Sequence, residues 1–229
     1  MATSPPRNPE QTGGVERDLA HQRALMVERH VASRGIQDKR ILDAMREVPR
    51  HRFVPQVVAS KAYGPGALPI GAKQTISQPY IVARMIELLE LGGREKVLEI
   101  GTGTGYQAAV LSKLCARVFT IERINELALR AAETFRALKI NNVSVKVFDG
   151  TYGWSDQAPF DRIIIAAAGP EVPEPLIQQL ARTGKLVMPI GSTGKQRLAR
   201  VTRVGTGIKI EDLGEAEFVP LVGKFGWRE

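Results

Sequence analysis

The residues that could do chemistry here are carboxylates at the ends of apolar runs, set beside glycines. Glu99 lies in Lys96-Val97-Leu98-Glu99-Ile100-Gly101-Thr102-Gly103-Thr104-Gly105-Tyr106. Further on, Glu122 closes the run Val118-Phe119-Thr120-Ile121, and Asp149-Gly150 follows Val143 to Phe148. A strand, a glycine turn, a helix and a second strand ending in a carboxylate form a unit that binds an adenosine cofactor. Glycine accepts a positive φ, and without a Cβ its backbone can approach a ligand closely. A carboxylate at the tip of the second strand can accept from both ribose hydroxyls. The plain alternative is an ordinary tight turn between strand and helix.

The glycine spacing separates cofactors. A dinucleotide fingerprint reads G-x-G-x-x-G, with a pyrophosphate over the helix N-terminus. Here Gly101, Gly103 and Gly105 read G-x-G-x-G, with Thr102 and Thr104 between them. An acidic strand end at Glu99 repels a pyrophosphate but suits the cationic amino-acid end of S-adenosylmethionine. Asp149 could accept from the adenine amino group, with the Gly150 N–H on a ring nitrogen. Asp149 could equally be a loop cap. A nicotinamide-dependent oxidoreductase is opposed by the glycine spacing, by Glu99 and by the lack of a hydride-transfer constellation.

Those strand ends need a sheet to hold them. Strands are expected over 97–100, 118–121, 143–148, 163–166 and 185–190, with helices over 106–115, 125–138 and 175–180 between them. Gly205-Thr206-Gly207 reads as a hairpin within 197–210, and Phe218-Val219-Pro220-Leu221 as a last strand or an edge. The expected fold is α/β, a doubly wound and Rossmann-like sheet, mostly parallel with an antiparallel end. Before it comes a helical elaboration. Ala20, Ala24, Val27 and Val31 recur at helical spacing up to Gly35, and Asp38 can cap a second helix with Ile41, Leu42 and Met45. Residues 56–78 look irregular. Ser77 fits the N-cap of a third helix, with Pro79 in its first turn and Ile81, Met85 and Leu88 as its inner stripe.

The chain has 229 residues, 43% of them hydrophobic, enough for one sizeable domain. Residues 1–18 read as a disordered tail, and 19–229 as a single domain. Within it, 19–92 would be the substrate-side elaboration and 93–229 the cofactor-binding core. The polar start lacks the apolar core of a signal peptide, which points to the cytoplasm. No apolar stretch approaches the roughly 18–20 residues of a membrane span. The single Cys115 excludes an internal disulfide, and His21, His30 and His51 are scattered, so no metal site is expected. The net charge of +8 is dispersed rather than gathered into a basic run, which favours a solvated surface over a nucleic-acid footprint.

The fourth strand ends in Ala166-Ala167-Ala168-Gly169-Pro170. It lacks the Asp/Asn-Pro-Pro-Tyr pattern of amino-directed nucleic-acid methyltransferases, and Cys115 stands on the wrong element for a cytosine-carbon nucleophile. A small apolar strand end suits an acceptor that is already an anion.

Six segments together resemble the protein-L-isoaspartate O-methyltransferase family. They are Val48-Pro49-Arg50 through Phe53-Val54, Leu68-Pro69-Ile70-Gly71, Gln74 through Tyr80, Val97 through Tyr106, Pro159-Phe160-Asp161 with Ile163-Ile164, and Phe218 through Leu221. The resemblance covers residues 20–225. The glycine turn marks only the methyltransferase superfamily, whereas Thr75-Ile76-Ser77-Gln78-Pro79 is far more specific. The resemblance implies methyl transfer from S-adenosylmethionine to the free α-carboxylate of L-isoaspartyl residues in damaged proteins and peptides. The ester then closes to a succinimide, whose hydrolysis returns some normal aspartate. It also implies a cytoplasmic monomer that needs no metal, nucleic acid or membrane.

By position, Ser77 matches the family's active-site serine. It could hold an acceptor oxygen, cap a helix, or do both. The acceptor is ionised at neutral pH, so no strong general base is required. Thr75 and Gln74 are expected beside the cofactor or the substrate. Leu68, Ile70, Ile76, Ala167, Val219, Pro220 and Leu221 would be walls around an extended peptide, or simply core. The chain departs from the family in a longer N-terminal tail and in Ala168-Gly169-Pro170, where relatives often have consecutive prolines. The competing functions are a methyltransferase for a small carboxylate or nucleic acid, and a non-catalytic cofactor-binding protein.

Overall fold

The computed structural model describes residues 9–205 and 207–228. It opens with α1 (Pro9–His30), whose Met26 and Val27 are buried. Residues 9–18, expected to belong to a tail, are helical, with Pro9 in the first turn where proline is tolerated. Residues 1–8 lie outside the described residues. Gly35 closes the following 3-10 turn in the left-handed region, at φ 101°. Asp38 caps α2 (Lys39–Glu47) by accepting from the Arg40 N–H at 2.9 Å, and Ile41, Ala44 and Met45 face inward.

Pro49 ends α2, and two 3-10 turns follow, Arg50–Phe53 and Gln56–Lys61. The segment expected to be irregular then forms an antiparallel hairpin, β1 (Leu68–Gly71) and β2 (Gln74–Ile76), with Leu68 opposite Ile76. Next is α3 (Pro79–Leu88). Its N-cap is Gln78 rather than Ser77, and no side chain caps it. Proline at the first helical position has no N–H to satisfy, which leaves Ser77 outside the helix. Val82, Met85 and Ile86 are buried, while Ile81 is only half-buried.

The α/β core runs β3 (Lys96–Ile100), α4 (Tyr106–Leu111), β4 (Arg117–Glu122), α5 (Asn125–Ala137), β5 (Val143–Val147), β6 (Phe160–Ile165), α6 (Glu174–Gln179), β7 (Leu180–Ile190), β8 (Gln196–Val204) and β9 (Gly207–Ala216). The sheet order is β5-β4-β3-β6-β7-β8-β9. Pairs from β5 to β7 are parallel, and β8 and β9 add antiparallel ladders. The hairpin between β8 and β9 falls where Gly205 and Gly207 were expected to turn the chain. The last expected strand reduces to one bridge, Ala168 to Pro220.

Both faces of the sheet are covered, so its central strands read as unbroken apolar runs. Alternation assigns the faces. Val97, Val118, Ile164 and Val187 pack with α1 to α4, while Leu98, Ile100, Ile121, Ile163 and Ile165 pack on the opposite side with Phe160 and Leu176. No described helix is long and apolar enough to cross a membrane.

Candidate functional site

The chain enters the sheet at β3, runs outward through β4 to β5, and returns to β6 on the other side of β3. Strand order reverses there, and the loops beyond β3 and β6 diverge to leave a crevice. A cleft of about 850 Å³, open mouth included, sits at this point. Gly101, Thr102, Gly103 and Thr104 line it from the β3 loop, Glu122 from the tip of β4, and Gly150 from beyond β5. Gln74, Thr75, Ile76 and Ser77 form a facing wall, and Ala167, Val219, Pro220 and Leu221 complete it.

The loop after β3 is fixed from several directions. The Gly101 and Thr102 N–H groups both donate to the Ile121 carbonyl, at 2.9 and 3.3 Å, and the Gly105 N–H donates to the Thr102 carbonyl at 2.8 Å. Glu122 is buried, and each of its oxygens accepts a backbone N–H: Gly103 at 2.9 Å and Ile124 at 3.0 Å. Its carboxylate is thereby aimed along the cleft wall. Gly101 and Gly103 take φ of +91° and +53°, where an L side chain is strained.

Three residues expected at the cofactor stand outside the cleft lining: Glu99, Gly105 and Asp149. Glu99 does not line the cleft. It is fully buried, accepts from the Thr120 hydroxyl, and Thr120 meets Thr102 Oγ1 at 2.6 Å. Burial pushes its carboxyl up to about 8, against the opposing pull of Thr120 and Gln107. It braces the loop from beneath as a neutral acid around pH 7. Gly105 is also outside the lining; at φ +88° its Cα packs so that an added Cβ would lie 2.5 Å from the Phe135 ring. Asp149 is a cap, the alternative its position allowed. Its Oδ1 accepts from the Thr151 N–H and hydroxyl at 2.9 and 2.7 Å, and its Oδ2 from the Lys224 N–H at 2.8 Å. Only its neighbour Gly150 reaches the cleft.

Two residues expected at the substrate also stand outside the lining, although Ile70 lines an adjoining cavity with Gly103 and Thr104. Leu68 and Ile70 do not line this cleft; both belong to the apolar core beneath the hairpin. The wall comes from β2 and Ser77. Ser77 is half-buried, and its carbonyl accepts from Arg50 Nη2 at 2.7 Å. Cys115 is core: its Sγ donates to the Leu111 carbonyl, and burial pushes the thiol up to about 12. Among the described residues no cluster of His, Cys, Asp and Glu could hold a metal ion.

Sequence reasoning missed several lining residues. Tyr106 and Gln107, from the first turn of α4, and Val82 from α3 line the cleft; so do Arg123, Ala166 and Val222. Tyr106 and Gln107 directly follow the glycine turn, so the helix start itself was the available signal.

Comparison with known proteins agrees with this geometry. Residues 21–226 match the family model described as Protein-L-isoaspartate(D-aspartate) O-methyltransferase. A protein-L-isoaspartate O-methyltransferase of Geobacter metallireducens is 54% identical over 92% of this chain and 97% of its own length. One from Geotalea uraniireducens is 50% identical over 93% of this chain and 98% of its own. Among solved structures, a protein-L-isoaspartate O-methyltransferase superposes with TM-score 0.81 at 27% identity, covering 90% of this chain and 67% of its own. A Plasmodium falciparum protein described as a putative enzyme of this kind, in complex with S-adenosyl-L-homocysteine, gives TM-score 0.73 at 25% identity, covering 86% of this chain and 96% of its own. With nearly the whole described chain matched, and its glycine loop and Ser77 wall facing one cleft, the chain belongs to the protein-L-isoaspartate (D-aspartate) O-methyltransferase family.

Proposed function

We propose that the cleft residues divide the work of this enzyme's reaction, methyl transfer from S-adenosylmethionine to the free α-carboxylate of L-isoaspartyl residues in damaged proteins and peptides. The observation that carries the division is that Ser77 and the Gly101–Thr104 loop line one cleft. The cleft fits the cofactor on this chain's own features: a loop whose Gly101 and Gly103 take the positive φ that glycine favours, and a carboxylate aimed by two backbone N–H groups. Glu122 would hold the ribose hydroxyls, Thr102, Thr104 and Thr75 the amino-acid end, and Gly150 the adenine edge. When bound, the cofactor supplies a methyl group on a sulfonium, ready for attack by an anion.

Ser77 orients the acceptor by donating to one carboxylate oxygen while the other faces the methyl group. Gln74 and Ile76 flank it, and Ala167, Val219, Pro220 and Leu221 form the apolar side that excludes water. No group has to remove a proton, so catalysis is orientation together with desolvation of a charged pair.

Within the same reading, the acceptor is protein rather than nucleic acid, and some surface cations have acidic partners. Arg40 pairs with Asp38, Arg84 with Glu87, Arg197 with Asp212, and Arg200 with Glu90 and Glu211. The elaboration and the α/β core act as one domain, since one apolar cluster runs from Met26 to Leu198. A monomer in the cytoplasm follows from the resemblance alone.

Transfer of labelled methyl to an isoaspartyl peptide, beside its normal aspartyl twin, tests this reading. Base-labile label is expected on the isoaspartyl peptide only. Ser77→Ala should lower kcat by about 10-fold or more, the worth of a hydrogen bond to a charged group, and leave cofactor affinity unchanged. Full turnover by Ser77→Ala would remove its assigned role.

A further inference from the structure

Arg50 is the largest side chain among the described residues that the fold buries completely. Arginine is rarely buried without an acid to pair with it. None pairs with this one among the described residues; the groups that act on its charge are Tyr106 and Tyr63. Its guanidinium instead holds backbone. Nε donates to the Ala62 carbonyl at 2.9 Å, and Nη2 to the Ser77 carbonyl at 2.7 Å. These two carbonyls bound the segment that carries the β1–β2 hairpin. One planar fork therefore closes both ends of that segment, a geometry lysine cannot reproduce.

The same guanidinium touches the cofactor side. Its carbon lies 4.7 Å from the centroid of the Tyr106 ring, within cation–π range. Tyr106 begins α4 directly after the glycine loop and lines the cleft. Arg50 Nη1 and Tyr106 Oη are both buried, and neither has a partner at hydrogen-bond geometry. Arg50 thus contacts both walls of the cleft.

We propose that Arg50 is a positioning residue for methyl transfer, setting the Ser77 wall against the glycine-loop wall through its carbonyl clamp and its seat on Tyr106. Its effect passes through Ser77, so it rests on the acceptor role given to that serine. The clamp matters because a misplacement of about 1 Å can cost 100-fold in rate.

Arg50→Lys and Arg50→Met test this, each alone and combined with Ser77→Ala. Arg50→Lys keeps the charge but not the fork. It should lower kcat by about 10-fold, with peptide KM and cofactor dissociation constant unchanged. Arg50→Met removes the fork and the charge together and should lower kcat at least as far. In the Ser77→Ala background, Arg50→Lys should cost little more, since both act on one step. Equal losses in both backgrounds would overturn the proposal while leaving the serine's role standing. A silent Ser77→Ala would overturn the serine's role, and with it any action of Arg50 through it. A fall in kcat matched by equal losses of cofactor affinity and melting temperature would mark Arg50 as only a core residue, and so would overturn it too. Should Arg50→Met not fold, Arg50→Lys alone decides.

Discussion

The two walls of the cleft are held by different means. The cofactor wall is part of a parallel sheet whose strands are buried on both faces. Its loop donates backbone N–H groups to the Ile121 and Thr102 carbonyls and to the Glu122 carboxylate, and beneath it the side chains of Thr102, Thr120 and Glu99 form a continuous buried chain. The acceptor wall is a short two-stranded hairpin, with an irregular register between Pro69 and Gly71. Its turn residues Ala72 and Lys73 sit at φ of 48° and 56°, and its far end rests on one arginine. A cofactor of constant shape suits a wall with many redundant constraints. An isoaspartyl residue arises in many sequence contexts, and an extended peptide suits a wall with few. Binding segments are drawn from the less stable part of a fold.

The sharpest way to break this contrast is at Gly105. An added Cβ would meet the Phe135 ring at 2.5 Å and would have to adopt φ +88°. Gly105→Ala should cost about 2–4 kcal/mol, from the left-handed backbone and the overpacking together. Calorimetry should show a lower melting temperature, and cofactor binding should fall with it. Adding Phe135→Leu should return part of the loss, since it relieves the clash but not the backbone strain. An unchanged melting temperature would mean that the cofactor wall is less constrained than its contacts indicate.

Next in size is Glu122. Glu122→Gln keeps one acceptor and removes the charge. Cofactor affinity by titration calorimetry should drop by about 10- to 100-fold, the range for a hydrogen bond to a charged group. Peptide KM measured at saturating cofactor should stay near its original value. Equal effects on both ligands would blur the distinction between the walls.

Glu99 gives a smaller effect with a definite sign. In the unfolded chain its carboxyl titrates near 4.5, and in the fold near 8. Between those values the folded state holds the extra proton, so this residue's contribution to stability is fully present below 4.5 and is lost as pH rises through 8. Glu99→Gln stays neutral throughout. Its melting temperature should therefore fall less than that of the parent between pH 5 and pH 8. Parallel curves for the two proteins would show that Glu99 is ionised in the fold.

The contrast between the walls also explains which parts were legible in the sequence. The β3 loop and β4 were readable because burial on both faces writes an apolar run, and the glycine turn and Glu122 stand at its ends. What those runs conceal is the direction of each side chain. Glu99 shares the face of Val97, under α4, and the alternation along β3 could have shown this. Asp149 precedes Gly150-Thr151, a sequence that also fits a cap. The hairpin was missed because Ala72-Lys73 has none of the Asn or Gly that marks such turns. Arg50 was beyond reach: burial of an arginine depends on which carbonyls the fold brings to it, and Ala62 and Ser77 are distant in sequence.

The smallest effect, and the most direct test of the acceptor wall, lies in that turn. Both central residues of a two-residue hairpin loop of this kind require positive φ, and Asn-Gly is the favoured pair. Ala72 and Lys73 adopt that conformation at a steric cost. Replacing them with Asn and Gly should stabilise the hairpin by about 1 kcal/mol. Hydrogen exchange at the β1 and β2 amides should slow, while the global melting temperature and the cofactor dissociation constant stay the same. If the strained turn keeps the acceptor wall adaptable, the variant should bind a single isoaspartyl peptide more tightly and discriminate more among peptides with different flanking residues. Slower exchange with identical KM values across a peptide panel would show that adaptability resides elsewhere, in the Val219–Val222 side of the cleft.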